Sequence, residues 1–437
     1  MLESTPIQDI IKKMRHDMKR VLYIAPRFHT NQYYPTKSLL DNDIEVKFIS
    51  RYSHKTENRD IIDPILIGDN FLIKILQKAS GRLFYHSIPP FLKLMREVKA
   101  FNPDISIIRM QGLYPWLCLI ALKVLDVDVI LYTQDRIVGE VRSTSLGRLF
   151  DYCVQPIKNN LVECEITPIS GMRVNEDSFE DGEGRLCHEY VMEEATSSDF
   201  LKGQLGASPI RCEHMPLSIR RNRRASYPTY HIPLVIKWMG ENNNKLSRLH
   251  ETRIMMVSEF QPRKRIIETI CIVSNLLSKG RYVHLTIIGN ADKPQTRDHL
   301  EEVRSLVYEK SLEDHVTIMT DIPHEDVLKE YRNNHLFLLT ALRESAGYSV
   351  LEAMANGAAV MISSDAGLQE CIIDGYNGYV FEKDDLQGLE VLLTRLCDDG
   401  ELLLSLGANN ERVVKNLYSP KVYHDYLRYV HDEIKRG

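Results

Sequence analysis

Two arrays, each alternating short apolar runs with helix-patterned stretches, constrain this chain more than any other feature. In the first half, KRVLYIA (19–25), IEVKFI (44–49), DISII (104–108) and DVILYT (128–133) are apolar runs of strand length. In the second half the pattern returns as TRIMMVSE (252–259), YVHLTIIG (282–289), HVTIM (315–319), HLFLLTA (335–341) and AAVMIS (358–363). Helical patterns separate these, among them 265–277, 296–310 and 324–334, the last with acids in its first turn, where the helix dipole favours them. Strands alternating with helices mean βαβ units around a parallel sheet. At 437 residues the chain is long enough to bury a core in each of two domains. The expected fold is α/β, with two Rossmann-like domains facing each other across a cleft. The first is expected over 19–225. A composition shift with Pro228, Pro233 and ENNNKLSR marks a linker at 226–250, and the second domain follows at 251–417. Residues 418–437 carry apolar and aromatic positions at helical spacing and are read as one amphipathic terminal helix, with Tyr423, Tyr426 and Tyr429 as packing residues.

Bulk properties exclude several classes. The net charge is −5, so no basic field points to nucleic acid. The first twenty residues lack the apolar run of a secretory signal. The longest apolar stretch, Leu113 to Leu122, is too short to span a bilayer and is followed by Lys123 and Asp126. A cytoplasmic protein is expected. The eight cysteines are scattered with no CxxC pair, which argues against zinc ribbons and redox motifs. In 68–99, Lys74, Lys78, Arg82, Lys93, Arg96 and Lys99 interleave with apolar residues. That pattern reads as a solvated helix face, or as a surface touching anionic lipid at the inner face of the membrane. Arg220, Arg221, Arg223 and Arg224 form a second basic cluster, read as a solvated face near the linker.

The chemistry concentrates at 340–357, TALRESAGYSVLEAMANG. A strand runs into a loop, and the loop opens a helix that ends at Gly357. Glu344 lies in the loop and Glu352 inside the helix, with Gly347 between them where backbone turns sharply or comes close to a ligand. The helix start at Gly347, Tyr348 and Ser349 offers unpaired N–H groups and a positive dipole end, a match for a diphosphate. A helix-borne carboxylate can accept two hydrogen bonds from ribose hydroxyls, and a loop carboxylate can reach sugar hydroxyls across the cleft.

The E-x7-E spacing with its internal glycine, followed by E-A-M-A-x-G, resembles the signature of family 4 retaining glycosyltransferases of GT-B architecture. SSDAGLQECIIDGYNGYVFEKDD (363–385) and VSEFQPRKR (257–265) are similar to further segments of that family, and the resemblance covers about 180 residues of the second domain. It implies transfer of a sugar from a nucleotide-sugar donor to an acceptor hydroxyl with retention of configuration, in cell-surface glycan synthesis by family habit. The acceptor would be a glycan, a lipid-linked intermediate or a protein. It also implies no cofactor and no metal, the donor being a substrate. No Asp-x-Asp pair stands beside the expected diphosphate-binding segments. The family roles carry over to Glu344 at the donor sugar, and to Lys264, with Arg263 beside it, at the diphosphate. Glu352 would bind the ribose; Gly347, Tyr348 and Ser349 would cap the phosphates. Ile322 and Pro323 would lie near the base, with Gly289, at a strand end, also on the donor side. Glu370 is read as a turn-organising residue. The terminal helix matches the family habit of crossing back to the first domain.

The chain departs from the family at three places. Glu259 stands where the family has Arg, and a carboxylate there would repel a diphosphate. The glycine-rich first loop is replaced by residues 26–34. Gln134 stands at the position of the family's acceptor-side histidine, leaving His29, Asp135 and Arg136 as acceptor-side candidates. Two rivals follow. A catalytically weak partner protein would bind donor without releasing nucleotide, and a sugar-nucleotide epimerase would alter the donor with no acceptor.

Overall fold

A computed structural model describes residues 18–28, 30–53, 59–71, 74–75, 88–109, 113–132, 161–169, 229–236, 250–342, 344, 347–366 and 368–436. Two parallel sheets organise it. The first holds β1 (Arg20–Ala25), β2 (Glu45–Ser50), β3 (Ile65–Leu66), β4 (Ile105–Arg109), β5 (Val129–Tyr132), β6 (Cys164–Ile169) and β7 (Thr229–Pro233), in the order β3-β2-β1-β4-β5-β6-β7. The second holds β8 (Thr252–Val257), β9 (Val283–Gly289), β10 (Val316–Thr320), β11 (Leu336–Leu339), β12 (Ala359–Ser363) and β13 (Gly378–Phe381), in the order β10-β9-β8-β11-β12-β13. The first strand of each array is internal: β1 lies between β2 and β4, and β8 between β9 and β11. The order reverses there, so connections leave to opposite sides and a crevice opens at the carboxyl ends, the place where such sheets bind ligands.

The helices of the first domain are α1 (Thr30–Leu40), α2 (Phe91–Phe101) and α3 (Leu113–Val124); those of the second are α4 (Ile266–Ser278), α5 (Pro294–Glu309), α6 (His324–Asn333), α7 (Tyr348–Ala355), α8 (Leu386–Asp398) and α9 (Gly400–Leu417). Strand side chains alternate between faces. On one face of the first sheet, Tyr23, Ala25, Ile105, Ile107 and Ile130 join a core that continues into the second domain through Tyr348, Leu351 and Met354. On the other, Leu22, Ile24, Ile108, Val129 and Leu131 pack with Leu94 and Val98 of α2 and Leu119 and Leu122 of α3.

The terminal helix α10 (Pro420–Arg436) packs against α1 and β7 of the first sheet's domain. Tyr423, Tyr426, Leu427 and Val430 repeat at helical spacing and are all buried. The Tyr23 and Tyr423 hydroxyls meet at 2.9 Å, and Lys435 pairs with Asp128 at the start of β5.

The expected linker needs correction. Strand β7 lies inside 226–250 and pairs with β6, so the first domain runs past 225 to Pro233. Proline reads as a linker signal, but Pro233 closes β7, an edge strand, where a missing amide removes little from the ladder. Beyond it Leu234, Val235 and Ile236 are buried, and the Ile236 amide donates to the Tyr418 carbonyl at 2.8 Å.

Within 68–99, α2 buries Leu94, Val98 and Phe101 and exposes Lys93, Arg96 and Lys99. Leu92 on the same helix is 84% exposed, and Phe71 and Ile75 are exposed as well. Lys78, Arg82 and the Arg220–Arg224 cluster lie outside the described residues. Among the described residues no helix is long and apolar enough to cross a membrane.

Candidate active site

The donor-side candidates converge at the reversal point of the second sheet. After β8 the chain makes a single 3-10 turn, Pro262–Lys264, closed by Arg265 in the left-handed conformation at φ 55°. Such a conformation is costly for a side chain with a Cβ, and here it is fixed by its surroundings. Arg265 pairs with Asp384 at 3.2 Å and donates to the Lys383 carbonyl. The Leu342 amide donates to the Arg263 carbonyl at 2.9 Å, and the Thr340 hydroxyl to the Lys264 carbonyl at 2.7 Å, stitching the turn to the end of β11. Lys264, 7% exposed, therefore aims its ammonium at Glu344 in the loop after β11. Arg263 reaches the same Glu344 oxygen at 3.4 Å. One carboxylate against two cations leaves positive charge at the strand ends, as a diphosphate requires.

Glu259 does not face this cluster with an unmatched charge. Its carboxylate pairs with Lys293 at 3.3 Å and accepts from the Gln261 amide, while the Gln261 carbonyl accepts from Arg263 at 3.0 Å. The acid that replaces the family's arginine is thus compensated by a lysine from the start of α5. That exchange across 34 residues is invisible to a local reading.

The N-terminus of α7 opens beside Glu344. Gly347 is its first flanking residue, at φ −86°, so no left-handed requirement explains the glycine. Its carbonyl accepts from Val350 and Leu351, whose bonds open the helix. The Tyr348 ring is buried towards the first domain, and burial raises its hydroxyl well above the ordinary range. The helix closes at Gly357 with φ 68°, where a Cβ would come within 2.5 Å of a Glu411 oxygen.

Glu352 is 5% exposed and its carboxylate accepts from the His324 ring at 2.7 Å. His324 is the first residue of α6, directly after Ile322 and Pro323, so the expected base-side and ribose-side residues are joined through it. Burial opposes the charged ring, but the hydrogen bond and charge of Glu352 outweigh it, and His324 is held above the ordinary histidine value. Tyr331 and, from the first domain, Tyr34 lie close to the same carboxylate. Burial and then the charge of Glu352 raise both phenols. The sequence singled out none of these three partners. The signal was a histidine at a helix start following the base-side dipeptide.

Gly289 plays a steric part. At the end of β9 a Cβ would sit 2.0 Å from the Ser258 carbonyl and 2.9 Å from the Phe260 ring. Only glycine lets the chain after β8 pass over this strand end. The acceptor-side candidates His29, Asp135 and Arg136 lie outside the described residues, as does Gln134.

Residues 241–413 match the family described as "Glycosyl transferases group 1". The chain is 24% identical over 196 residues to the capsular polysaccharide biosynthesis glycosyltransferase CapM of Staphylococcus aureus, covering 44% of this chain and 50% of that protein. It is 26% identical over 186 residues to the N-acetyl-alpha-D-glucosaminyl L-malate synthase of Bacillus anthracis, covering 42% and 46%. The chain thus spans about half the length of the curated relatives it matches. Over the full fold it superposes on a sucrose-phosphate synthase from Thermosynechococcus elongatus with a TM-score of 0.61 at 16% identity, covering 96% of this chain and 98% of that one. On Anabaena HepE in complex with UDP the TM-score is 0.58 at 12% identity, covering 93% and 98%. The two parallel sheets form the GT-B architecture of these glycosyltransferases.

Proposed function

We propose that the chain is a retaining glycosyltransferase of the family 4 type, moving a hexosyl group from a nucleotide-sugar to an acceptor hydroxyl without a metal. The observation that carries this is the cluster of Glu344, Lys264 and Arg263 at the open N-terminus of α7, with Glu352 buried one turn further along. The diphosphate would lie against Lys264, Arg263 and the first amides of α7. Glu352, oriented by His324, would hold the ribose, and Glu344 would contact the transferred sugar. As the glycosidic bond breaks, negative charge grows on the diphosphate, and fixed cations and helix amides stabilise it without rearranging. In this proposal the leaving phosphate oxygen takes the acceptor proton. A donor whose phosphate oxygen cannot accept a proton should then lose turnover.

The acceptor would be a glycan, a lipid-linked intermediate or a protein. A place at the inner face of the membrane is part of the proposal. Leu92, Phe71 and Ile75 beside Lys93, Arg96 and Lys99 suit shallow contact with anionic lipid. Equal sedimentation with and without anionic vesicles would remove that contact. The reading of a catalytically weak partner drew on Glu259 and on Gln134 in place of a histidine; with the Glu259 carboxylate held by Lys293 and Gln261, the first of these grounds falls away.

The test is a screen of UDP-, GDP-, ADP- and dTDP-sugars with EDTA present, following thermal stabilisation and nucleotide release in the wild type, Glu344→Ala and Glu352→Ala. One donor should stabilise the wild type and release nucleotide, and should do neither in the variants. Binding by no donor would refute the proposal. An altered nucleotide-sugar formed without acceptor would mark an epimerase instead.

A further inference from the structure

The reversal point of the first sheet carries its own cluster of cations. In the β1–β4 register Ile24 lies opposite Ile108, so Ala25 is level with Arg109 and Arg27 follows two residues on. In the β4–β5 register Arg109 lies directly opposite Tyr132. Tyr23, Ile107 and Arg109 alternate onto one sheet face, where they line a small pocket with Tyr132. Gln32 and Pro35 of α1 close one side of the pocket, and Tyr423 of α10 closes the other.

Arg109 is half-buried at the mouth of this pocket. Burial works against its charge, and Arg27 pushes on it further. The other groups acting on it are Tyr132, Tyr348 and Tyr52, and among the described residues no carboxylate pairs with it. Tyr348 is the first residue of α7, the helix start where the donor diphosphate is placed above. Two other half-buried arginines are matched: Arg51 takes both oxygens of Asp69, and Arg265 takes Asp384. Two like charges held together at a crevice, one partly desolvated, cost free energy unless a ligand brings the opposite sign. Arginine's planar fork fits carboxylate and phosphate oxygens.

We propose that Arg109, supported by Arg27, binds an anionic group on the acceptor, an oxyanion carried on a sugar or polyol next to the hydroxyl that receives the glycosyl group. Tyr132, half-buried and directly opposite Arg109 in the register, stands beside that group, while Tyr23 and Tyr423 close the floor beneath it. This rests on the glycosyl-transfer reading and names its acceptor class: negatively charged rather than neutral.

The experiment titrates the full chain with glucose 6-phosphate, glucuronate, inorganic phosphate and neutral glucose. Each titration is run with and without the nucleotide found in the donor screen. The charged sugars should bind the wild type about tenfold or more tighter than glucose, the worth of one charge-assisted contact. Tighter binding of glucose 6-phosphate than of glucuronate assigns a phosphate, and the reverse assigns a carboxylate. Arg109→Ala should abolish the preference, Arg109→Lys should keep part of it, and Arg27→Ala should weaken it, all three with an unchanged melting temperature in the absence of ligand. The nucleotide's own Kd should be the same in wild type and Arg109→Ala. Equal binding of charged and neutral sugars, with nucleotide bound normally, overturns the inference and leaves the donor reading standing. So does a preference that persists in Arg109→Ala. Loss of nucleotide binding in folded Arg109→Ala also overturns it, because the arginine then serves the donor. Failure of the wild type to bind any nucleotide counts against the donor reading itself.

Discussion

At the reversal point of the second sheet, Lys264 and Arg263 share Glu344, and Glu259 is answered by Lys293. At the matching point of the first sheet, Arg109 meets Arg27 and a ring of tyrosines, with no paired carboxylate among the described residues. Two crevices with the same topology therefore hold charge in different ways. A cation with its carboxylate in place is preorganised and stays put when a ligand arrives, which is what a site that stabilises charge during a reaction needs. A cation without one is a recognition element whose partner arrives with the ligand. The difference fits a division of labour in which the second domain does the chemistry and the first selects the acceptor.

The largest effect that would break this comparison is in turnover. Lys264→Ala should lower kcat/KM for nucleotide release about 10²–10³-fold, the range for loss of one preorganised donor at developing negative charge. Arg263, more exposed and further from Glu344, should cost less. If Lys264→Ala keeps most of its turnover, the cations of the second domain are structural and the proposed division fails.

Next in size is binding. Glu352→Gln keeps the shape of the side chain but removes the charge that His324 answers. Nucleotide affinity should fall about tenfold by direct titration. An unchanged Kd would mean that Glu352 serves only the contact between α6 and α7.

The first domain is probed by the tyrosine pair that joins β1 to the terminal helix. Tyr23→Phe and Tyr423→Phe each remove one hydroxyl of a buried pair at 2.9 Å. A double-mutant cycle in chemical denaturation should show coupling of about 1 kcal/mol. Additive losses would mean that the two hydroxyls do not work together in holding α10 to β1, and that the pocket wall tolerates rearrangement.

What the sequence could show follows from how far apart the interacting residues lie. The strands of both arrays, the helix closing at Gly357 and the amphipathic terminal helix depend on short-range pattern, and each element is present in the structure. The E-x7-E segment was legible for the same reason, because loop, glycine and helix start lie within one stretch. His324 was not, since its meaning depends on a contact 28 residues away, and alone it reads as a solvated helix start. Strand β7 was hidden by Pro233, whose tolerance depends on the strand's edge position in the sheet. Arg109 sat one residue past a strand that was recognised. Its setting needs the register of three strands together with Tyr423 from the far end of the chain.

The smallest effect separates the two crevices by pH. The His324 ring is held above its ordinary value because Glu352 overcomes the cost of burial. A base whose folded value is raised contributes its full stabilisation below the unfolded value and loses it as pH rises through the folded one. Other histidines work the other way: burial lowers His284, His424 and His431, and such groups lose stability as pH falls. The wild-type profile therefore mixes both signs, and the informative quantity is the difference between wild type and His324→Gln. From the ordinary histidine value upward, through the raised value, the wild type should lose stability relative to the variant in denaturation melts. Parallel profiles would show that the ring titrates alike in the folded and unfolded states and that Glu352 does not hold its proton. Arginine keeps its charge across this range, so anion binding at Arg109 should change with pH only as the ligand itself titrates. A histidine-like pH dependence there, abolished by His324→Gln, would couple the two crevices and end their treatment as separate sites.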